Sequence, residues 1–151
     1  ANLEAYTTAV DYINRSLKIR EEIDEIQGIL TTKINLVEVY VNTGKFNQAE
    51  KLLLPMIQKA RQHQLFKIQK DLYEVAYNLY YRKGLYKKSF DFQKRYKYLN
   101  DSLLNQEKQK NVTELSVKYE TETKEQEIKL LNKENKINQL EIEKEKKEKI
   151  I

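Results

Sequence analysis

Apolar residues recur in steps of three and four along the first hundred positions, the spacing that places them on one face of an α-helix. This pattern predicts four helices and the start of a fifth, over residues 4–22, 26–43, 47–62 and 66–83 and from near Tyr86. A short turn is expected around Ile23–Glu25. Pro55 lies inside the third helix, where its missing N–H should kink the helix rather than end it.

Equivalent residues also recur every forty positions. The pairs are Gly44 and Gly84, Tyr40 and Tyr80, Phe46 and Tyr86, and Ala49 and Ser89. A half-unit precedes them, since Tyr6 and Ala9 stand forty residues before Phe46 and Ala49. Each glycine can adopt the left-handed conformation that ends a helix, and the small residue that follows lets the next helix approach closely. The repeat therefore predicts an all-α fold of stacked helical hairpins.

The sequence changes character near residue 103, after which there is neither glycine nor proline. Residues 105–151 contain 11 Lys and 11 Glu, and five Glu–Lys pairs stand four residues apart in the order that favours a helix: 114–118, 120–124, 125–129, 143–147 and 145–149. One long charged helix is predicted. Its sparse apolar residues indicate a dimeric coiled coil through residues 103–151, although the eleven-residue step from Tyr119 to Leu130 interrupts a heptad seam.

The junction between these two parts has two interpretations. Asp101 could act as the N-cap of a new helix, or the fifth helix could continue through residues 99–102. We favour continuity with a bend. The corresponding domains are residues 1–100, made of a partial unit 1–24 and units 25–64 and 65–100, and a linker helix over residues 101–151.

Composition excludes several kinds of chemistry. There is no cysteine and a single histidine, His63, so one chain cannot assemble a transition-metal site from nitrogen and sulfur ligands. The three glycines are scattered and form no phosphate-binding loop. His63 is expected in a surface turn between helices. No paired acid and base is recognised, so we expect no catalytic residue and no cofactor.

The net charge of +5 resides in residues 1–104, which hold 17 Lys and Arg against 12 Asp and Glu. The densest basic stretch is 82–97, with seven cations and one acidic residue, Asp91. These cations spread around a helix rather than forming one stripe, so we expect a solvated surface and no nucleic-acid binding. An anionic partner is the alternative.

The repeat resembles the tetratricopeptide family. The segment Val37-x-x-Tyr40-x-x-x-Gly44-x-Phe46-x-x-Ala49 follows that signature, and the next unit follows it with Ser89 in place of alanine. Two departures are Lys33, where the family often has tryptophan, and a period of forty rather than about 34. The resemblance covers roughly residues 1–104 and implies a non-catalytic protein-interaction domain.

The run from Tyr98 to Glu134 resembles the linker of bacterial membrane-bound regulators with tetratricopeptide sensor domains, chiefly two-component sensor histidine kinases. That resemblance implies a periplasmic location, a membrane segment just after Ile151 and an output domain beyond it. The alternatives are the same sensor region on a helix-turn-helix transcriptional regulator, or a soluble adaptor in the cytoplasm. Nothing within residues 1–151 separates the kinase from the transcriptional regulator.

In tetratricopeptide folds the first helix of each pair lines a groove, which indicates where a partner would bind. The equivalent positions here are Thr31, Ile34, Glu38 and Val41 in one unit and Asp71, Glu74, Asn78 and Tyr81 in the next. Acidic side chains with one tyrosine suit a protein or peptide bearing basic or amide groups. Alternatively, this surface contacts adjacent repeats of the same chain. The row Tyr73, Tyr77 and Tyr80 is predicted to pack in the core.

Overall fold

The computed structural model describes residues 3–22 and 25–150, and these residues form five α-helices and no strand. The helices are α1 (Leu3–Glu22), α2 (Ile26–Asn42), α3 (Phe46–Gln62), α4 (Phe66–Arg82) and α5 (Tyr86–Lys149). The all-α prediction is confirmed, and the helices begin and end within a residue or two of the positions expected. α3 continues through Pro55. The expected turn around Ile23–Glu25 falls mostly on residues 23–24, outside the described residues.

The three turns that join α2, α3, α4 and α5 have the same backbone geometry. Their central residues are left-handed, with φ of 75° at Gly44, 53° at Gln64 and 78° at Gly84. The residue after each donates its N–H to a carbonyl five positions back, in the bonds Lys45 to Tyr40 (2.8 Å), Leu65 to Ala60 (2.9 Å) and Leu85 to Tyr80 (2.9 Å). This is the Schellman motif. The left-handed conformation predicted for the two glycines is confirmed, and the turns recur every twenty residues.

Residues 1–104 form one of two compact units in the chain. Within it α2 contacts α1, α3 and α4, and α3 contacts α4. The largest side chains that are fully buried are Leu30, Val37, Leu53, Leu72, Leu79 and Tyr80. Each of the leucine and valine side chains among them stabilises the fold by roughly 1.5–3 kcal/mol relative to an exposed position. A second, smaller cluster of Leu17, Ile29 and Leu36 packs α1 against α2.

The small residues of the repeat are buried where adjacent helices meet. Ala49 is 0% exposed and Ser89 is 7% exposed. The Ser89 hydroxyl donates to the carbonyl of Tyr77 at 2.7 Å, so serine fits this contact as well as alanine does. The aromatic positions differ: Phe46 is half-buried under the Arg82 guanidinium, whereas Tyr86 is largely exposed. Among the cation–ring contacts of the described residues, none places an arginine over the ring of Tyr86.

Aromatic rings join α4 to the first turns of α5. The ring of Tyr80 stacks on Phe92, with centroids 5.5 Å apart and planes 8° apart. Tyr73 lies 6.0 Å from the same phenylalanine, and Tyr77 meets Tyr96 edge-on at 5.7 Å. Tyr73 and Tyr80 are buried and Tyr77 is half-buried. The predicted core packing of this row is confirmed, with Tyr77 at the edge of the core.

Residues 105–151 form the second unit. The helix assignment of α5 is continuous through residues 99–102, so Asp101 lies within a helix and does not cap one. Every residue from 105 to 150 is exposed except Thr123, which is half-buried. The helix that the five Glu–Lys pairs favour is present, although none of these pairs has its charged atoms within 4.0 Å. The ion pair found in this stretch is Lys110–Glu114 at 3.8 Å, in the opposite order.

Candidate functional site

The eight predicted groove residues divide by burial. Ile34 and Val41 are 7% and 5% exposed and belong to the core, so a partner cannot reach them. Including these two in a binding groove was wrong, since α2 is covered by three neighbouring helices. The remaining six are exposed or half-buried on α2 and α4, which contact each other. We call them the α2–α4 surface: Thr31, Glu38, Asp71, Glu74, Asn78 and Tyr81.

The centre of the α2–α4 surface is acidic. Partial burial raises the pKa of the Glu38 carboxyl, and the negative charges of Glu74 and Asp71 raise this pKa further. Carboxylates from two helices therefore lie close enough to repel one another. A cation brought to this position would relieve that repulsion.

The other members of the α2–α4 surface are held by local contacts. The Thr31 hydroxyl donates to the carbonyl of Gln27 at 2.8 Å, and the ring of Tyr81 meets Tyr86 edge-on at 5.4 Å. Asp71 is 3.4 Å from the ammonium of Lys70. Among the side-chain contacts described, none links Thr31, Asn78 or Tyr81 to the three carboxylates. The structure thus brings the acidic residues together and leaves the polar ones at separate points of the same two helices.

A polar network that the sequence pattern did not reveal joins α3 to the end of α4. Glu50 accepts a hydrogen bond from the Tyr80 hydroxyl at 3.0 Å and another from the Lys83 ammonium at 2.6 Å. The bond from Lys83 is the main reason that the pKa of Glu50 is lowered, with burial opposing it and the Tyr80 bond adding to it. Burial is the main reason that the pKa of Tyr80 is raised to about 12, and the hydrogen bond from its hydroxyl to Glu50 is the second reason. The phenol therefore remains a donor.

Arg82 makes a second polar connection between helices, from the end of α4 to α2 and α3. Its guanidinium donates to the carbonyl of Val41 at 2.6 Å and lies 5.5 Å from the ring centroid of Phe46. Arg82, the last residue of α4, therefore caps the C-terminal end of α2. The prediction of a solvated basic surface is wrong for Arg82 and Lys83, both of which have specific partners. A lysine or arginine in the last turn of a helix predicts such capping only weakly, because a cation there also interacts favourably with the dipole of its own helix.

The described residues contain no group of three or more His, Asp or Glu side chains placed to hold a metal ion. His63 is exposed in the turn between α3 and α4, as expected. No helix formed by residues 3–22 and 25–150 has both the length and the apolar character needed to cross a bilayer. The membrane segment expected after Ile151 lies outside these residues.

Comparison with known proteins gives no match to a family model, a curated protein or a solved structure. The interpretation of the α2–α4 surface therefore depends on its own residues.

Proposed function

We propose that this chain is a non-catalytic sensory and protein-interaction region of the tetratricopeptide type, part of a two-component sensor histidine kinase. A basic protein or peptide segment binds at the α2–α4 surface, and α5 transmits the effect to an output domain outside residues 1–151. The observation that supports an interaction region is the repeated helical layer: three Schellman turns at twenty-residue spacing, with Ala49 and Ser89 buried at equivalent points. The kinase part of the proposal rests on the resemblance of the run from Tyr98 to Glu134. Such layers expose one helix of each pair to a partner.

The α2–α4 surface supports a basic partner because two of its three carboxylates have no cation within 4.0 Å in residues 3–22 and 25–150. Of Glu38, Asp71 and Glu74, only Asp71 has a cation within 4.0 Å among the described residues, and that cation is its neighbour Lys70. A lysine or arginine of a bound segment would satisfy the other two carboxylates. Tyr81, 63% exposed, supplies an aromatic ring on α4, the helix that also carries Asp71 and Glu74.

The double variant Glu38→Gln and Glu74→Gln tests this surface. Immobilised wild-type protein should capture a partner whose contact region is basic, and the double variant should lose most of that capture. The matched control is Glu120→Gln with Glu125→Gln, which removes the same charge from exposed positions of α5. Equal loss with both pairs would show general charge attraction and would refute a specific surface.

Dimerisation through α5 is the second part of the proposal. At about 100° per residue, Val112, Leu115, Tyr119, Leu130, Ile137 and Leu140 fall within roughly 80° of one another around the helix. The eleven-residue step from Tyr119 to Leu130 keeps to this stripe, because eleven residues make just over three whole turns. All six side chains are exposed in the single chain. A second copy of α5 is the partner we propose for them, and spacing of this kind favours a straight or right-handed pair.

Sedimentation distinguishes this stripe from the opposite side of α5. The double variant Leu115→Lys and Leu130→Lys should convert the dimer of residues 1–151 to a monomer. The control Val117→Lys and Leu131→Lys places the same charges outside the stripe and should leave the dimer intact. Monomeric wild-type protein would refute dimerisation. The kinase assignment is tested separately by the gene downstream of residue 151, where an apolar stretch of about twenty residues and a kinase domain are expected.

A further inference from the structure

An open groove lies between α3 and the first turns of α5. Two adjoining cavities of about 830 and 690 Å³ form it, and both are lined by Arg61 of α3 and Arg95 of α5. Its lining residues lie at 54–62 on α3 and 91–99 on α5, roughly 12 Å along each helix, together with Gln69 and Tyr73 of α4. We call this the α3–α5 groove. It lies entirely within the unit of residues 1–104.

The α3–α5 groove has an excess of positive charge. Three cations, Arg61, Lys94 and Arg95, line it together with a single carboxylate, Asp91. That carboxylate lies 3.5 Å from the ammonium of Lys94. Within residues 3–22 and 25–150, neither arginine has a carboxylate oxygen within 4.0 Å. Both guanidinium groups can therefore donate hydrogen bonds to a ligand.

Apolar side chains stand beside these arginines. Leu54 is 47% exposed and Tyr98 is 75% exposed, and both line the groove. The half-buried ring of Phe92 also lines it and lies 5.4 Å from the guanidinium of Arg95. That contact holds the guanidinium at the wall of the groove. The groove thus presents apolar surface and cations side by side.

We propose that the α3–α5 groove binds an acidic amphipathic helix of a partner protein. Carboxylates of that helix pair with Arg61 and Arg95, since the planar guanidinium suits bidentate binding of a carboxylate. Its apolar side chains cover Leu54 and Phe92. A length of roughly 12 Å admits about two helical turns, enough for residues at i, i+3 and i+4 to reach both walls. A small anion would satisfy the arginines but leave the apolar walls in water.

This proposal is independent of the proposed function, because the α2–α4 surface has the opposite charge and selects a basic partner. The probe is a fluorescein-labelled synthetic peptide of about four helical turns, with leucine along one stripe and glutamate beside it. Fluorescence anisotropy with the full chain should show saturable binding at physiological ionic strength. A peptide with glutamine in place of glutamate should bind at least about tenfold more weakly, because it cannot form the charge-assisted bonds.

The double variant Arg61→Gln and Arg95→Gln should weaken binding of the acidic peptide by about tenfold or more. The control Lys87→Gln with Lys97→Gln removes the same charge from exposed positions of α5 outside the groove, and should change binding by less than about threefold. Equal loss in both pairs, or equal affinity for the two peptides, would overturn the proposal.

A measurement on the unaltered protein removes any dependence on how the variants fold. The acidic peptide should slow amide hydrogen exchange in residues 54–62 and 91–99 and leave residues 31–41 unchanged. Protection confined to other segments would overturn the assignment. So would a change in the sedimentation of R61Q/R95Q with no loss of peptide binding, which would assign the groove to a second copy of the chain.

Discussion

Gln64 occupies the left-handed position that glycine fills in the two equivalent turns, so replacing it by glycine should stabilise the protein. Its φ is 53° and its side chain is exposed. A residue with a Cβ in this conformation costs roughly 1–2 kcal/mol. Glycine removes that strain but gives the unfolded chain more freedom, which offsets about 0.4–1 kcal/mol. The difference predicts that Gln64→Gly stabilises the fold by about 0.5–1 kcal/mol.

The reverse substitutions should have the opposite sign. A Cβ added at Gly44 or Gly84 would meet no atom within 4 Å, so space does not oppose it. Only the backbone conformation does, with φ of 75° and 78°. The same arithmetic predicts that Gly44→Ala and Gly84→Ala each destabilise the fold by about 0.5–1 kcal/mol.

Urea unfolding followed by circular dichroism measures these differences, and thermal unfolding gives a second reading. For a unit of about a hundred residues, 1 kcal/mol corresponds to a change in Tm of roughly 4–8 °C. The matched control is Gln58→Gly, at an exposed position in the middle of α3, which should destabilise by about 0.5–1 kcal/mol. If Gln64→Gly lowered stability as Gln58→Gly does, position 64 would not be left-handed and the equivalence of the three turns would be refuted.

Three further substitutions probe the polar groups. Glu50→Ala should destabilise by about 1–3 kcal/mol, because it leaves the buried hydroxyl of Tyr80 and the ammonium of Lys83 without their acceptor. The pKa of Glu50 is lowered from 4.5 in the native protein, so its contribution to the free energy of unfolding is complete above pH 4.5. That contribution is lost as the pH falls through the native pKa, and urea unfolding at a series of acidic pH values will show the loss. Glu38→Gln should slightly raise Tm at pH 7, because the native pKa of this carboxyl is raised and its charged form is disfavoured. That gain should fade as the pH drops through 4.5 and vanish well below it, where the carboxyl is neutral in both states; a gain independent of pH would contradict the cause given. Arg82→Ala should destabilise by about 1.5–3 kcal/mol through loss of a charged hydrogen bond of 2.6 Å, whereas a change within experimental error in urea unfolding would show that water replaces it.

The helices could be predicted from the sequence because periodicity and turn residues agree. Gly44 and Gly84 mark two turns clearly, and apolar steps of three and four mark the helices between them. The equivalent turn at Gln64 was not predicted as left-handed, since glutamine has no preference for that conformation. Its position follows only from equal spacing, halfway between the glycines. Equal helix length, rather than turn composition, is the signal that could have found it.

The candidate surface was predicted only in part, for two physical reasons. Shifting by forty residues equates Ile34 with Glu74 and Val41 with Tyr81, yet Ile34 and Val41 are buried whereas Glu74 and Tyr81 are exposed. The apolar character of Ile34 and Val41 was itself an indication that these two residues of α2 are buried. The hydrogen bond from Arg82 to the end of α2 joins residues 41 positions apart. Helical periodicity predicts the face of the helix on which a residue lies, but it does not predict which distant residue that side chain contacts.

The equal spacing of the turns bears on how a chain of this kind lengthens during evolution. A duplicated stretch of forty codons, such as that for residues 46–85, starts with the first residue of a helix and stops with the last residue of a turn. The duplicate would join Leu85 to a second Phe46 just as Leu85 now precedes Tyr86. Duplication thus adds whole layers without altering any joint, whereas one codon inserted within a helix turns everything after it by about 100°.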